Sequence, residues 1–140
     1  MIDFCFETEF ELFEQDRLKD WITKTIISEG FEVGEISYVF CDDEHLHKLN
    51  VEFLGHDTLT DIISFDYGMG KQINGEIFIS VERVSENAIT YSVPFHKELH
   101  RVMIHGVLHY CGHKDKSPAE EANMRALEDQ ALSQLDFDYS

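Results

Sequence analysis

Val102-Met103-Ile104-His105-Gly106-Val107-Leu108-His109-Tyr110-Cys111 is the stretch on which the fold turns. No Asp, Glu, Lys or Arg occurs between Arg101 and Lys114, so a helix here is apolar almost all round and belongs in the interior of the domain. Gly112 stands where a helix C-terminus favours a residue without Cβ. The helix is expected to start near His96 or Lys97. It poses two questions: what packs around it, and what satisfies its histidines, since buried imidazole nitrogens without a hydrogen bond or a metal are costly.

Outward from this helix, strand signals fall mostly in the first 80 residues. Residues 2–6 alternate and read as an edge strand, and 33–40 and 62–67 are rich in Val, Ile, Tyr and Phe. Residues 76–80 are expected to pair with 62–67 across a turn holding Gly68, Gly70 and Asn74-Gly75. Helical spacing marks 14–29 (Leu18, Trp21, Ile22, Thr25, Ile26), with Gly30 as its stop. A short helix capped by Asp42 or Asp43 carries Leu46, Leu49 and Phe53, and 81–89 is another candidate. Ser117-Pro118-Ala119-Glu120 combines a Ser N-cap, Pro at the first helical position and Glu three residues after the cap, which is a capping box. Strands early and helices late predict an α+β fold.

A chain of 140 residues with 43% hydrophobic content suits one domain, taken as 1–140. No apolar run approaches the roughly 18 residues of a membrane span, so no membrane partner is expected. The N-terminus lacks a basic start and apolar stretch, and Cys5, Cys41 and Cys111 form no Cys-x-x-Cys pair. Both features lead us to expect a cytoplasmic location with reduced thiols. Twenty-eight acidic residues against eleven Lys and Arg leave a net charge of −17. Such a chain is repelled on average by phosphate backbones, so a nucleic-acid substrate needs a local basic pocket, a metal, or a partner that delivers it.

His105 and His109 are spaced i and i+4, which puts their Cβ atoms about 5–6 Å apart on one helix face, close enough for two imidazoles to share one metal ion. Gly106 costs about 1 kcal/mol relative to Ala inside a helix, so another backbone or a ligand is expected to approach there. The same position lacks the Glu that serves as general base in His-Glu-x-x-His proteases, which disfavours that class. After Gly112, either His113 or Asp115 can swing back as a third ligand, with Cys111 a weaker option, leaving the fourth position open for water as in catalytic zinc sites. Eight histidines in one small chain also produce such pairs by chance. His45, His47 and His56 read as surface or loop residues, and His96 and His100 as structural.

The segment His105-Gly-Val-Leu-His109-Tyr-Cys-Gly112-His113-Lys114-Asp115 resembles the signature His-Gly-x-Leu-His-Leu-x-Gly-Tyr-Asp-His of the YbeY family of endoribonucleases. Asn50-Val-Glu-Phe53 followed by Thr60-Asp61-Ile62-Ile63-Ser64-Phe65 is similar to that family's Asn-x-x-Tyr/Phe and Thr-Asp-Val-Leu-Ser-Phe stretches, and Gly75-Glu76-Ile77 to its Gly-Asp-Ile strand. The resemblance implies a small mixed β-sheet packed with about five helices, with a metal site on the buried helix and the loop after it. It implies one Zn(2+) per chain held by His105, His109 and Asp115, where Asp115 replaces the family's third histidine. It further implies cleavage of single-stranded RNA in ribosomal RNA maturation at the 16S 3′ end and in ribosome quality control, with a ribosomal subunit or basic ribosomal proteins as partners. Two further departures are Leu54, where the family usually has Arg, and Glu76, where it has Asp. The rival readings are a metallohydrolase acting on something other than RNA, and a catalytically weak ribosome-associated factor with a structural metal.

Overall fold

The structure, a computed structural model, describes residues 1–139. Its strands are β1 (Ile2–Phe6), β2 (Glu32–Cys41), β3 (Ile62–Asp66) and β4 (Gln72–Ser80). Its helices are α1 (Gln15–Ser28), α2 (Asp43–Leu54), α3 (Val81–Tyr91), α4 (Phe95–Tyr110) and α5 (Pro118–Leu135). The sheet order is β1-β2-β4-β3, with β1, β2 and β4 parallel and β3 antiparallel to β4. This is the mixed α+β arrangement expected, with β1 at one edge.

The two faces of the sheet are unequal, because side chains alternate along each strand. Ile36, Tyr38 and Phe40 of β2 and Ile77 and Ile79 of β4 point into the main core, which α1, α4 and α5 cover. Ile63, Phe65 and Phe78 point the other way, into a small cluster closed by Leu46 and Leu49 of α2. Helix α4 runs through the main core, burying Leu99, Met103, Ile104 and Val107 completely. Each such side chain contributes about 1.5–3 kcal/mol of burial. Polar links fix the layers: the Tyr38 hydroxyl donates to the Met103 carbonyl at 2.9 Å, and the Trp21 indole N–H to the Ala131 carbonyl at 2.8 Å.

Two expectations are corrected. Strand β4 begins at Gln72 rather than at 76, so Asn74-Gly75 lies inside a strand and the turn is confined to 67–71. Gly75 is there because a Cβ would stand 2.4 Å from the Tyr110 hydroxyl and 2.6 Å from the Phe65 carbonyl oxygen. Gly106 does face a close neighbour, but neither a backbone nor a ligand: a Cβ would meet the Ile62 and Ile77 methyls at 3.1 and 3.2 Å, where α4 lies down on the sheet.

Candidate metal centre and its cleft

The C-terminus of α4 sets the geometry. Gly112 adopts φ +96°, the left-handed conformation that suits glycine. The Gly112 N–H donates to the His109 carbonyl at 3.0 Å and the His113 N–H to the Leu108 carbonyl at 3.1 Å, the paired bonds of a Schellman motif. The chain therefore reverses sharply. At the far end of the loop the Ser117 side chain accepts from the Glu120 N–H at 3.1 Å, and the Glu120 carboxylate accepts from the Ser117 N–H at 3.0 Å. Asp115 hangs between these two anchored ends.

The reversal brings Asp115 Oδ2 to 3.2 Å from His105 Nε2 and 3.3 Å from His109 Nε2. One ligand atom from each residue lies within 4.8 Å of the other two. Tetrahedral bonds of roughly 2.0–2.2 Å require donor atoms about 3.3 Å apart, so this donor set fits a single divalent ion. The histidine side chains are 21% and 34% exposed, so the group opens to solvent. His113 lies elsewhere: its Nε2 pairs with the Glu29 carboxylate at the end of α1. Cys111 is also outside the group, and burial, then the Glu29 charge, pushes its thiol up to about 12.

Four residues that sequence reasoning did not assign complete the surroundings. Glu128 of α5, only 5% exposed, places Oε2 at 2.6 Å from His105 Nδ1. With Nδ1–H donating to that carboxylate, the Nε2 lone pair faces Asp115. Glu128 Oε1 in turn accepts from Arg101 Nη1 at 2.9 Å, and Arg101 Nη2 donates to Asp129 at 2.6 Å. Burial pulls the His105 pKa down, but the Glu128 hydrogen bond and charge, with Asp115 and Asp61, outweigh it and leave a net rise. Asp61, just before β3, accepts from the Asn87 amide at 3.2 Å, and burial raises its carboxyl above the ordinary range. Glu98 is the fourth.

These groups line a cleft of about 440 Å³ between α3, α4 and α5. Its α4 wall is Glu98, Arg101, Val102 and His105, and its α5 wall is Glu121, Met124, Arg125 and Glu128. Both sets follow i, i+3, i+4, i+7 spacing, so each is one helix face. Leu54 and Glu76 do not line it: Leu54 is 47% exposed at the end of α2, and Glu76 accepts from the Tyr67 hydroxyl at 3.0 Å. Asn50 is 3% exposed and donates to the Thr58 carbonyl at 2.8 Å, so it ties down the loop before β3.

A mixed sheet crossed by a His-x-x-x-His helix, with a carboxylate returning from the next loop beside an open cleft, defines a class of α+β domains equipped to hold one metal ion. The sequence model of the family described as Endoribonuclease YbeY matches residues 4–136. The chain belongs to that family. It is 56% identical over 133 residues to the Endoribonuclease YbeY of Flavobacterium johnsoniae, covering 95% of this chain and 96% of that one. It is 51% identical over 115 residues to its namesake from Porphyromonas gingivalis, covering 82% and 76%. A Thermotoga maritima protein solved in solution superposes with a TM-score of 0.66 at 25% identity, covering 96% of this chain and 91% of that one.

Proposed function

We propose that this chain, acting as one domain, is a metal-dependent endoribonuclease that cleaves single-stranded RNA during ribosomal RNA maturation, at the 16S 3′ end. His105, His109 and Asp115 hold one Zn(2+) per chain. The convergence of these three donors, two of which (His105 and Asp115) line the cleft, is the observation that carries the reading. The names of the relatives supply the substrate class. An ion bound there would supply positive charge to a phosphodiester and lower the pKa of water towards neutrality. Glu128 fixes the His105 tautomer and ring plane, and Arg101 holds Glu128 in place. Arg125, exposed at the rim and without an ion pair among the described residues, is placed to meet an RNA phosphate, a role Leu54 cannot fill.

A net charge of −17 opposes general adhesion to RNA, so delivery by a ribosomal subunit or its basic proteins in the cytoplasm accords with this reading. No helix among the described residues is long and apolar enough to cross a membrane. The test is cleavage of matched single-stranded and duplex RNA, with chelator and with zinc restored, beside elemental analysis of protein purified without added metal. Cleavage of the single strand alone, lost with chelator, is expected. His109→Ala is expected to lose both metal and cleavage; full metal stoichiometry in that variant would refute the ligand assignment. Ribosome binding without chelator-sensitive cleavage would favour a non-catalytic factor.

A further inference from the structure

The α4 wall of the cleft runs on from His105 to Glu98, where the function described so far assigns nothing. Glu98 lies there, 6% exposed. Its carboxyl makes no hydrogen bond or ion pair among the described residues. Two guanidinium groups share the cleft with it: Arg101 already donates to Glu128 and Asp129, and Arg125 favours the Glu98 charge from the rim without pairing with it. Burial, then the Asp61 charge, raises the Glu98 carboxyl above its ordinary range, partly offset by Arg101 and Arg125, so the carboxyl faces the cleft as an acceptor with no protein donor. A ligand that brings N–H donors removes that penalty.

The surroundings narrow the ligand. Asp61, Glu98 and Glu128 line the pocket together, so an anion is repelled from its floor. A metal ion has its own donor set at His105, His109 and Asp115, the only triad of ligand atoms within 4.8 Å of one another among the described residues. A neutral, flat, donor-bearing group remains. Ile62, Val102 and Met124 offer apolar wall, and Tyr91, 58% exposed, offers a ring at the mouth. The volume of about 440 Å³ accommodates a base with its ribose.

We infer that this pocket seats a guanine base of the RNA, whose N1–H and N2–H₂ both donate to the Glu98 carboxylate. Guanine is the one base with two adjacent donors on its Watson–Crick edge, and single-stranded RNA is commonly read through such edges and through stacking. The ribose-phosphate of that nucleotide then leads towards Arg125 and the His105–Asp115 end of the cleft. Glu98 is thus a specificity-determining residue, and this inference rests on the single-strand nuclease reading.

The test titrates GMP, IMP, AMP, CMP and UMP into the full-length protein by calorimetry. The phosphate is common to all five, so differences report the base. IMP lacks only the N2 amino group. GMP is expected to bind about tenfold or more tighter than IMP and UMP, and Glu98→Gln to erase most of that preference. GMP, IMP and UMP binding within about threefold of one another, or AMP or CMP binding tighter than GMP, overturns the inference. If Glu98→Gln fails to fold, the GMP-to-IMP ratio of the unaltered protein decides alone. RNA cleavage is measured on the same preparation. Cleavage without base preference in binding removes the guanine pocket and leaves the nuclease. GMP selectivity without cleavage leaves the pocket and removes the nuclease.

Discussion

Replacing Glu128 by Gln keeps the shape of a buried side chain while removing the charge that serves two donors. The carboxylate now accepts from His105 Nδ1 at 2.6 Å through one oxygen and from Arg101 Nη1 at 2.9 Å through the other. A glutamine has one carbonyl oxygen, so one donor must face an NH₂ instead. Loss of a carboxylate behind a metal-bound histidine costs about 10–100-fold in metal affinity, roughly 1.4–2.7 kcal/mol. Breaking a buried ion pair outright costs about 3–5 kcal/mol, but Arg101 keeps Asp129 at 2.6 Å, so about 2 kcal/mol of folding stability is expected to go. For a domain of this size that lowers Tm by about 6–8 °C. Zinc affinity is measured by competition with a chromophoric chelator at fixed pH, and Tm by calorimetry on metal-free protein. Asp129→Asn is the control, since its side chain is 60% exposed and its pair is worth about 1 kcal/mol at most. If Glu128→Gln binds zinc within about twofold of the unaltered chain, the carboxylate does not orient a ligand and the proposed role of Glu128 fails.

Burial first, then His96 and Arg17, pushes the His100 imidazole down to about 3. Below pH 6.5 the unfolded chain takes up a proton that the folded chain refuses, so stability falls with falling pH, by about 2 kcal/mol between pH 7.5 and 5. Urea unfolding at both pH values should show this loss shrinking in His100→Phe; an unchanged difference between variant and parent would sink the assignment. Gly75→Ala is expected to destabilise by about 1–3 kcal/mol, because the Tyr110 hydroxyl and a strand carbonyl stand in the way. Gly106→Ala should lie within about 1 kcal/mol of the parent, since its neighbours are movable methyls and alanine favours the helix. Equal losses at the two glycines, by denaturant titration, would contradict the packing described. Arg125→Ala should weaken single-stranded RNA binding and flatten its log–log salt dependence by about 0.7, and an unchanged slope in fluorescence anisotropy would mean no phosphate contact there.

What could be read before any coordinates were those features that local chemistry settles. The spacing of His105 and His109, the stop at Gly112 and the capping box at Ser117 each involve neighbours in sequence, and each is found in place. So is the return of Asp115 to the histidines, although spacing alone left His113 open until the family likeness tipped the choice. Partners distant in sequence were not legible. Glu128 meets His105 across 23 positions, and nothing in its own helix marks it among many acidic residues. Glu98 and Asp61 gain meaning only when α3, α4 and α5 close around one space. Gly75 was misread because Asn-Gly usually signals a turn, and the crowding by Tyr110 that requires glycine comes from another helix.

The strap holding Asp115 is short. Residues 113–116 span two helix ends that are each locked by their own backbone and side-chain bonds. One residue added or removed in that span would therefore leave both helices folded yet displace the carboxylate by a full residue's reach. Natural variation in this family should accordingly tolerate changes of donor type at that point far more readily than changes of length.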